Sequence, residues 1–280
     1  MKVSRYVLGL VALQSACTQA QFEQFVAELA HTEVVEIIFL DVGQGDAVLI
    51  RTPGGSTLLV DAGRGSGIVE TLQEYGVESI DLLVGSHADA DHIGGMDDVI
   101  RSFPVQTYVD NGLCQVTVAC VDLSWAIENS DVEYVQWPSG TVEFGDVTLE
   151  FLEPPNVQGL EPNNYSIGIL LEYGEFRALL TGDSEIEELN HFLRDGVPDV
   201  TLLKAAHHGS RDAVSPAWLD ATMPEVVVIS VGENNSYGHP DTWALHYYNL
   251  ASDEMYRTDL DGDVTVLGHR YGSYEVVTSR

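Results

Sequence analysis

The chain has 280 residues, enough for one large domain or two small ones, and 45% of them are hydrophobic, so a packed core is expected rather than disorder. The net charge is −32, from 44 acidic against 12 basic side chains. That balance argues against loose, sequence-independent DNA binding, which rests on Lys and Arg at phosphates, and against an anionic membrane surface.

Taken in order, the amino terminus is distinct. Lys2 and Arg5 precede the apolar run Tyr6 to Leu13, and Gln14-Ser15-Ala16-Cys17 follows. This reads as a secretory signal over residues 1–20, too short to span a bilayer as a mature helix. The small residues before Cys17 resemble a bacterial lipoprotein processing site, with Gln14 where that pattern usually has Leu. The expectation is an exported protein, periplasmic, cell-surface or secreted. It has no membrane span, and Cys17 either carries a lipid anchor or is removed. Residues 21–33 read as a tether or short helix, and 34–280 as the folded domain. Cys114 and Cys120 either close a small disulfide loop in an oxidising compartment or remain two buried thiols.

Within the domain, Val35 to Leu40 and Asp46 to Ile50 read as paired strands around the turn-forming Asp41-Val42-Gly43-Gln44-Gly45. A strand from Thr57 to Val60 ends in Asp61, and a helix from Gly67 to Tyr75 leads to the buried strand Ile80 to Val84. Residues 111–140, with the cysteine pair, Trp125 and Trp137, read as a lobe or insertion outside the core sheet. Strands return at 147–152, 167–173 and 176–180, the last ending in Thr181-Gly182-Asp183. Strand-helix units then run through 200–204, 216–221, 226–230 and 242–250. The pattern predicts two similar α/β halves with sheets face to face between outer helices.

Chemistry gathers where strands end. Ser86-His87-Ala88-Asp89-Ala90-Asp91-His92 places four metal-capable side chains within six residues after a buried strand. Two imidazoles and two carboxylates on one turn need a cation, and a divalent metal is the simplest. Asp61, Asp183, His207-His208 and His239 stand after other strands.

The turn resembles the metallo-β-lactamase superfamily signature His-x-His-x-Asp-His, with Asp89 in place of the middle histidine. With the Phe39 to Asp46 hairpin, Asn163-Asn164-Tyr165-Ser166, Leu180-Thr181-Gly182-Asp183 and Lys204-Ala205-Ala206-His207-His208-Gly209-Ser210, it resembles the hydrolase domain of ComEC-like competence proteins, here in free-standing form. The motifs run from Val34 to about Gly262.

This resemblance implies a four-layer αββα sandwich with metal along one edge. His87, Asp89, Asp91 and His92 match the ligand turn, and Asp183 the carboxylate that bridges two metals. His207 matches the next histidine, with His208 and His239 as competitors, and Asp61 matches a support for the turn. Asn163, Asn164, Ser166, Lys204 and Ser210 are expected at the substrate. No histidine lies between His92 and His191, so the superfamily's third histidine for the first metal has no counterpart. The expected cofactor is one or two divalent ions, Zn or Mn, the oxygen-rich first site favouring manganese. Two ions about 3.5–4 Å apart clamp a phosphodiester. Asp89 or Asp91 would orient water, and His207, His208 or His239 would protonate the leaving oxygen.

The expected function is hydrolysis of phosphodiesters, as a DNA nuclease of the ComEC type or as an exported phosphoesterase for small or cell-wall diesters. A binding module with a degenerate metal site is the alternative of a different class. The expected partner is an anionic small-molecule or nucleic-acid diester, and Arg51, Arg64, Lys204, Arg211 and Arg257 lie in or near the motifs. The sequence leaves the oligomeric state open.

Overall fold

Period-two alternation along the strands sorts the apolar side chains into three layers. The computed structural model describes residues 33–280 except 115, 138, 139, 154 and 156, so the expected signal and tether at 1–32 lie outside the described residues. Fifteen strands are described: β1 (Val34–Phe39), β2 (Val48–Arg51), β3 (Thr57–Val60), β4 (Ile80–Val84), β5 (Val105–Asp110), β6 (Glu133–Gln136), β7 (Gly140–Phe144), β8 (Val147–Phe151), β9 (Ile169–Tyr173), β10 (Phe176–Leu180), β11 (Leu202–Lys204), β12 (Val226–Ile229), β13 (Glu254–Arg257), β14 (Val264–His269) and β15 (Tyr274–Thr278). They form an eight-stranded sheet in the order β15-β14-β1-β2-β3-β4-β5-β6 and a seven-stranded sheet in the order β13-β12-β11-β10-β9-β8-β7.

Val35, Ile37 and Phe39 of β1 and Leu58 and Val60 of β3 point between the sheets, where they meet Val226 and Val228 of β12. Their neighbours Ile38 and Leu59 point the other way, under α1 (Gly67–Glu74), α2 (Ala90–Ile93), α3 (Met96–Ser102) and α4 (Val118–Glu128). On the second sheet Val227 and Ile229 face α5 (Ile186–Asp195), α6 (Pro216–Thr222) and α7 (Thr242–Ala251). A last short helix, α8 (Thr258–Asp261), precedes β14. Strands covered on both faces need near-continuous apolar sequence, which these have. Each fully buried Val, Leu or Ile contributes about 1.5–3 kcal/mol of transfer free energy. The layers are helix, sheet, sheet, helix, as the sequence resemblance implied.

Residues 111–140 correct the sequence reading. They are not an insertion: α4 buries Cys120, Leu123 and Ala126 against the first sheet, and β6 extends that sheet by pairing parallel to β5. Cys114 and Cys120 form a disulfide, which ties the loop after β5 to α4.

One edge of the sandwich collects the strand ends. β3 and β4 run parallel in one sheet, and β10, β11 and β12 run parallel in the other. Asp61 follows β3, residues 85–92 follow β4, Asp183 follows β10, His207 and His208 follow β11, and Ser230 follows β12. Ligand sites in α/β sheets form at such carboxyl ends. No helix among the described residues is long and apolar enough to cross a membrane.

Candidate metal centre

The centre is built outward from Asp61. Its backbone is left-handed, with φ of 61°, and its carboxylate lies buried under the turn after β4. Oδ1 accepts the Ser86 N–H at 2.8 Å. Oδ2 accepts the Ser86 hydroxyl at 2.7 Å and His92 Nδ1–H at 2.8 Å. Because the Ser86 hydroxyl donates to Asp61, its oxygen is left to accept from His87 Nδ1, 3.1 Å away. From the other sheet, His208 Nδ1 lies 2.9 Å from the Ser230 carbonyl, which can only accept. All three imidazoles therefore carry a proton on Nδ1, and in the neutral tautomer each turns a bare Nε2 lone pair inward.

Those three Nε2 atoms converge. His92 Nε2 is 3.2 Å and His208 Nε2 3.4 Å from Asp183 Oδ2. His87 Nε2 is 4.0 Å from the same oxygen, and His208 Nε2 is 3.7 Å from Asp91 Oδ2. The Nε2 atoms of His87, His92 and His208 and Oδ1 of Asp183 are buried with no hydrogen-bond partner. Buried polar atoms are rarely left so, and a cluster of them facing a carboxylate is what a divalent cation satisfies. The donors form four overlapping groups, each within 4.8 Å: His87 with His92 and Asp183, Asp91 with His92 and His208, and two that include the buried Asp46, with Asp61 and His92 and with Asp183 and His208. The carboxylate and carbonyl behind the imidazoles match the outer-shell pattern that orients metal-bound histidines. The residues fit a divalent metal.

Two close approaches need glycine. Gly182 sets Asp183 in place at φ of 53°, and a Cβ there would stand 2.9 Å from Ser86 Cβ. Gly45 brings the β1–β2 turn against the Asp91 carbonyl, which its Cβ would overlap at 2.2 Å.

A buried ion pair lies beneath. Lys204 Nζ stands 2.5 Å from Asp46 Oδ2, and both side chains are almost fully buried. Lys204 also donates to the Gly182 and Ala205 carbonyls, at 3.2 Å each. Asp46 Oδ1 is 3.4 Å from His208 Nδ1. The pair thus clamps the β1–β2 turn to the second sheet and sets a negative charge behind His208.

Electrostatics follow from these neighbours. Burial, reinforced by the charge on His92, pushes His87 down to about 3, so it is neutral at neutral pH. Burial also opposes charge on His208, but the Asp183 and Asp46 carboxylates outweigh it and raise His208 to about 10. For His92, Asp183 and Asp61 likewise outweigh burial and hold it well above the usual imidazole range. Asp183 is desolvated, yet His208 and His92 hold it well below the usual carboxylate range. In the metal-free cluster, protons on two imidazoles supply the positive charge that Asp183 needs.

The structure sorts the residues singled out from sequence. It brings His87, Asp91, His92, Asp183 and His208 together. His207, the histidine that the resemblance matched, stands outside the donor groups. Its Nε2 is 3.8 Å from Asp183 Oδ2, and its Nδ1 is 3.4 Å from Glu185 Oε1. Left-handed backbone at both residues, φ 48° and 52°, swings His208 inward and His207 to the rim. His239 stacks on Tyr237 and meets the edge of His207 at 5.4 Å between ring centroids. Burial, with His207 and His208 nearby, lowers its basicity. Asp89 occupies the N-cap position of α2 without a side-chain capping bond, half exposed, 3.8 Å from His87 Nε2 and outside the donor groups.

Four of the five residues expected at the substrate are buried and bonded within the protein. Lys204 is buried by its pairing with Asp46. Asn164, 1% exposed, donates to Glu185 and accepts from the Glu188 N–H. Ser166 is fully buried, and its hydroxyl accepts the Asp183 N–H. Ser210 is buried and accepts from the Asp212 N–H. Asn163 is partly exposed, 3.5 Å from the His207 ring nitrogens. Of the arginines, Arg51 pairs with Glu36, Arg257 with Asp259, and Arg211 lies over Trp243. Arg64 reaches the cluster, 3.6 Å from Asp91 Oδ1. Sequence reasoning gave Asp46 mainly a hairpin role. The available signal was Lys204 ending an apolar strand, since a buried lysine requires a carboxylate.

A family model for the metallo-beta-lactamase superfamily matches residues 40–233. The chain belongs to the metallo-β-lactamase superfamily. Among curated proteins it is 30% identical over 250 residues to Competence protein ComA of Neisseria gonorrhoeae, covering 87% of this chain and 34% of that protein. It is 24% identical over 296 residues to ComE operon protein 3 of Bacillus subtilis (strain 168), covering 97% of this chain and 38% of that protein. The chain thus spans about a third of the length of these ComEC-like relatives. Among solved structures, the metallo-beta-lactamase fold protein YhfI of Bacillus subtilis aligns with a TM-score of 0.55 at 12% identity, over 87% of this chain and all of that one. The CmlA beta-hydroxylase E377D mutant aligns with a TM-score of 0.56 at 14% identity, over 95% of this chain and 60% of that one. These two likenesses are of fold. The superfamily and the donor set together make this a metal-dependent hydrolase fold with a divalent-metal site.

Proposed function

We propose that the chain hydrolyses phosphodiesters with one or two divalent ions held by His87, Asp91, His92, Asp183 and His208. The observation that carries the reading is the convergence of three buried imidazole Nε2 atoms on the Asp183 carboxylate. A divalent ion bound there supplies Lewis acidity towards a phosphoryl oxygen and makes water acidic enough to attack at neutral pH.

The chain's own groups do the rest. Asp61, Ser86 and Ser230 hold the imidazoles in the tautomer that leaves Nε2 free. Arg64, about half exposed and also 3.4 Å from the Tyr237 hydroxyl, offers charge to a phosphate oxygen at the mouth. His207, held by Glu185 at the rim, is placed to protonate a leaving oxygen.

The ComEC-like relatives support nucleic acid as one substrate. The net charge of −32 favours the second reading, an exported enzyme for small diesters, because a long polyanion is repelled. The Cys114–Cys120 disulfide supports export, since such bonds persist in oxidising compartments. The test is turnover of bis-p-nitrophenyl phosphate and of single-stranded DNA by protein loaded with Mn²⁺ or Zn²⁺. Turnover that chelation and His208→Ala both abolish is expected. No turnover of either substrate by metal-loaded protein sinks the proposal, and intact DNA beside cleaved small diesters selects the second reading.

A further inference from the structure

Beside the cluster lies a cavity of about 280 Å³ with largely apolar walls, and none of the chemistry described so far uses it. Leu113 forms one wall and Leu160, Pro162 and Tyr165 the other, while His87 and Asp89 form the boundary with the metal cluster. Its position makes it a candidate for the part of a substrate that is not phosphate.

Both walls are fixed. Asn111 Nδ2 donates to the Tyr165 carbonyl at 2.8 Å, which links the loop after β5 to the loop before β9. Asn111 Oδ1 accepts the Leu113 N–H at 2.9 Å, and Cys114, also in the wall, is held to α4 by its disulfide. The Tyr165 hydroxyl donates to the Val157 carbonyl at 2.5 Å and accepts the Leu160 N–H at 3.3 Å. A preformed apolar cavity binds without the cost of ordering its walls.

The lining selects the occupant. Leu113, Leu160, Pro162 and Tyr165 offer no charge to pair, so an ionic group has no partner there. Asp89, on the boundary, repels a second anion. The volume lies just under the range for drug-sized ligands, which suits one ring system and not a stretch of polymer. A ring seated there is next to His87, and its phosphate then falls at the cluster.

We infer that the Leu113–Leu160–Pro162–Tyr165 cavity is a subsite for the nucleobase of a nucleotide phosphoester whose phosphate lies at the metal cluster. The inference rests on the phosphodiester reading above. It makes the enzyme a reader of the organic group as well as of the phosphate, without a basic track.

The test compares two phosphate monoesters that differ only in the base. Thymidine 5′-monophosphate and deoxyribose 5-phosphate are titrated calorimetrically into the metal-loaded protein. The nucleotide is expected to bind about tenfold tighter, the scale of one base packed on side chains. Leu113→Asp and Leu160→Asp, one on each wall, are each expected to bring that ratio to about one while metal content stays at the wild-type level. Leu113 is 52% exposed, so its substitution leaves the core intact. Equal binding of the two ligands, or a tenfold ratio that survives both substitutions, overturns the subsite and leaves the phosphoester reading standing. Failure of metal-loaded protein to bind either ligand also overturns the subsite, while turnover of bis-p-nitrophenyl phosphate decides the phosphodiester reading separately.

Discussion

Lys204→Met is the most severe test of the architecture under the site. Lys204 and Asp46 are both almost fully buried and paired at 2.5 Å. Burial alone would lower the lysine's pKa, but Asp46 outweighs it and raises it, so Lys204 is charged at all physiological pH values. Methionine keeps most of the volume and removes the charge. The Asp46 carboxylate is then left buried, and two carbonyls lose a donor. Removing one partner of a buried pair costs about 3–5 kcal/mol. Against a total of about 5–15 kcal/mol that is a large fraction. At about 2–4 °C per kcal/mol for a domain of this size, the midpoint falls by roughly 6–20 °C. Asp46→Asn in the same chain removes the stranded charge, so the double variant should lose at least about 1 kcal/mol less than the two singles summed. Urea unfolding followed by circular dichroism, in chelator to remove metal linkage, measures each term. A Lys204→Met variant within about 0.5 kcal/mol of wild type, or single costs that simply add, would refute the buried pair.

Three further outcomes follow from the same geometry. Asp61→Ala removes the acceptor behind His92 and Ser86, and metal affinity should fall roughly 10–100-fold by competition with a chelating dye, while an unchanged affinity would remove Asp61 from the support network. Metal loading at pH 7 should release about two protons, from His92 and His208, because both are raised above neutrality in the metal-free cluster; calorimetry in buffers of different ionisation enthalpy counts them, and zero release contradicts the assignment. Burial raises Glu188 to about 8. The folded state therefore keeps a proton that the unfolded state loses near pH 4.5, and stability falls as pH rises from about 4.5 to 8. Glu188→Gln should be progressively more stable than wild type across that window, and a gap that does not grow with pH would count against the buried acid.

The sandwich was legible because both faces of its sheets are covered, which forces runs such as Val226-Val227-Val228-Ile229. The α4–β6 unit was not. Val118, Val121 and Trp125 are exposed opposite the buried Cys120, Leu123 and Ala126, so apolar residues surround the helix and hide its inner face. β6 is a mostly exposed edge strand whose Glu133 and Gln136 carry no core signal. The ligand turn could be read because its donors are adjacent in sequence. The choice between His207 and His208 could not, because it depends on two successive left-handed residues that are not glycine. Lys204, Asn164, Ser166 and Ser210 looked like contacts for substrate because they border the motifs. Only the tertiary structure shows that these side chains are themselves buried and bonded within the protein.

The central claim is that His208, and not its neighbour His207, completes the donor set with His87, His92 and Asp183. The most direct measurement is elemental metal content of purified His208→Ala and His207→Ala after equal loading and desalting. Near-complete loss of tightly held metal from His208→Ala is predicted, with wild-type content in His207→Ala. Metal retained by His208→Ala and lost from His207→Ala would contradict it.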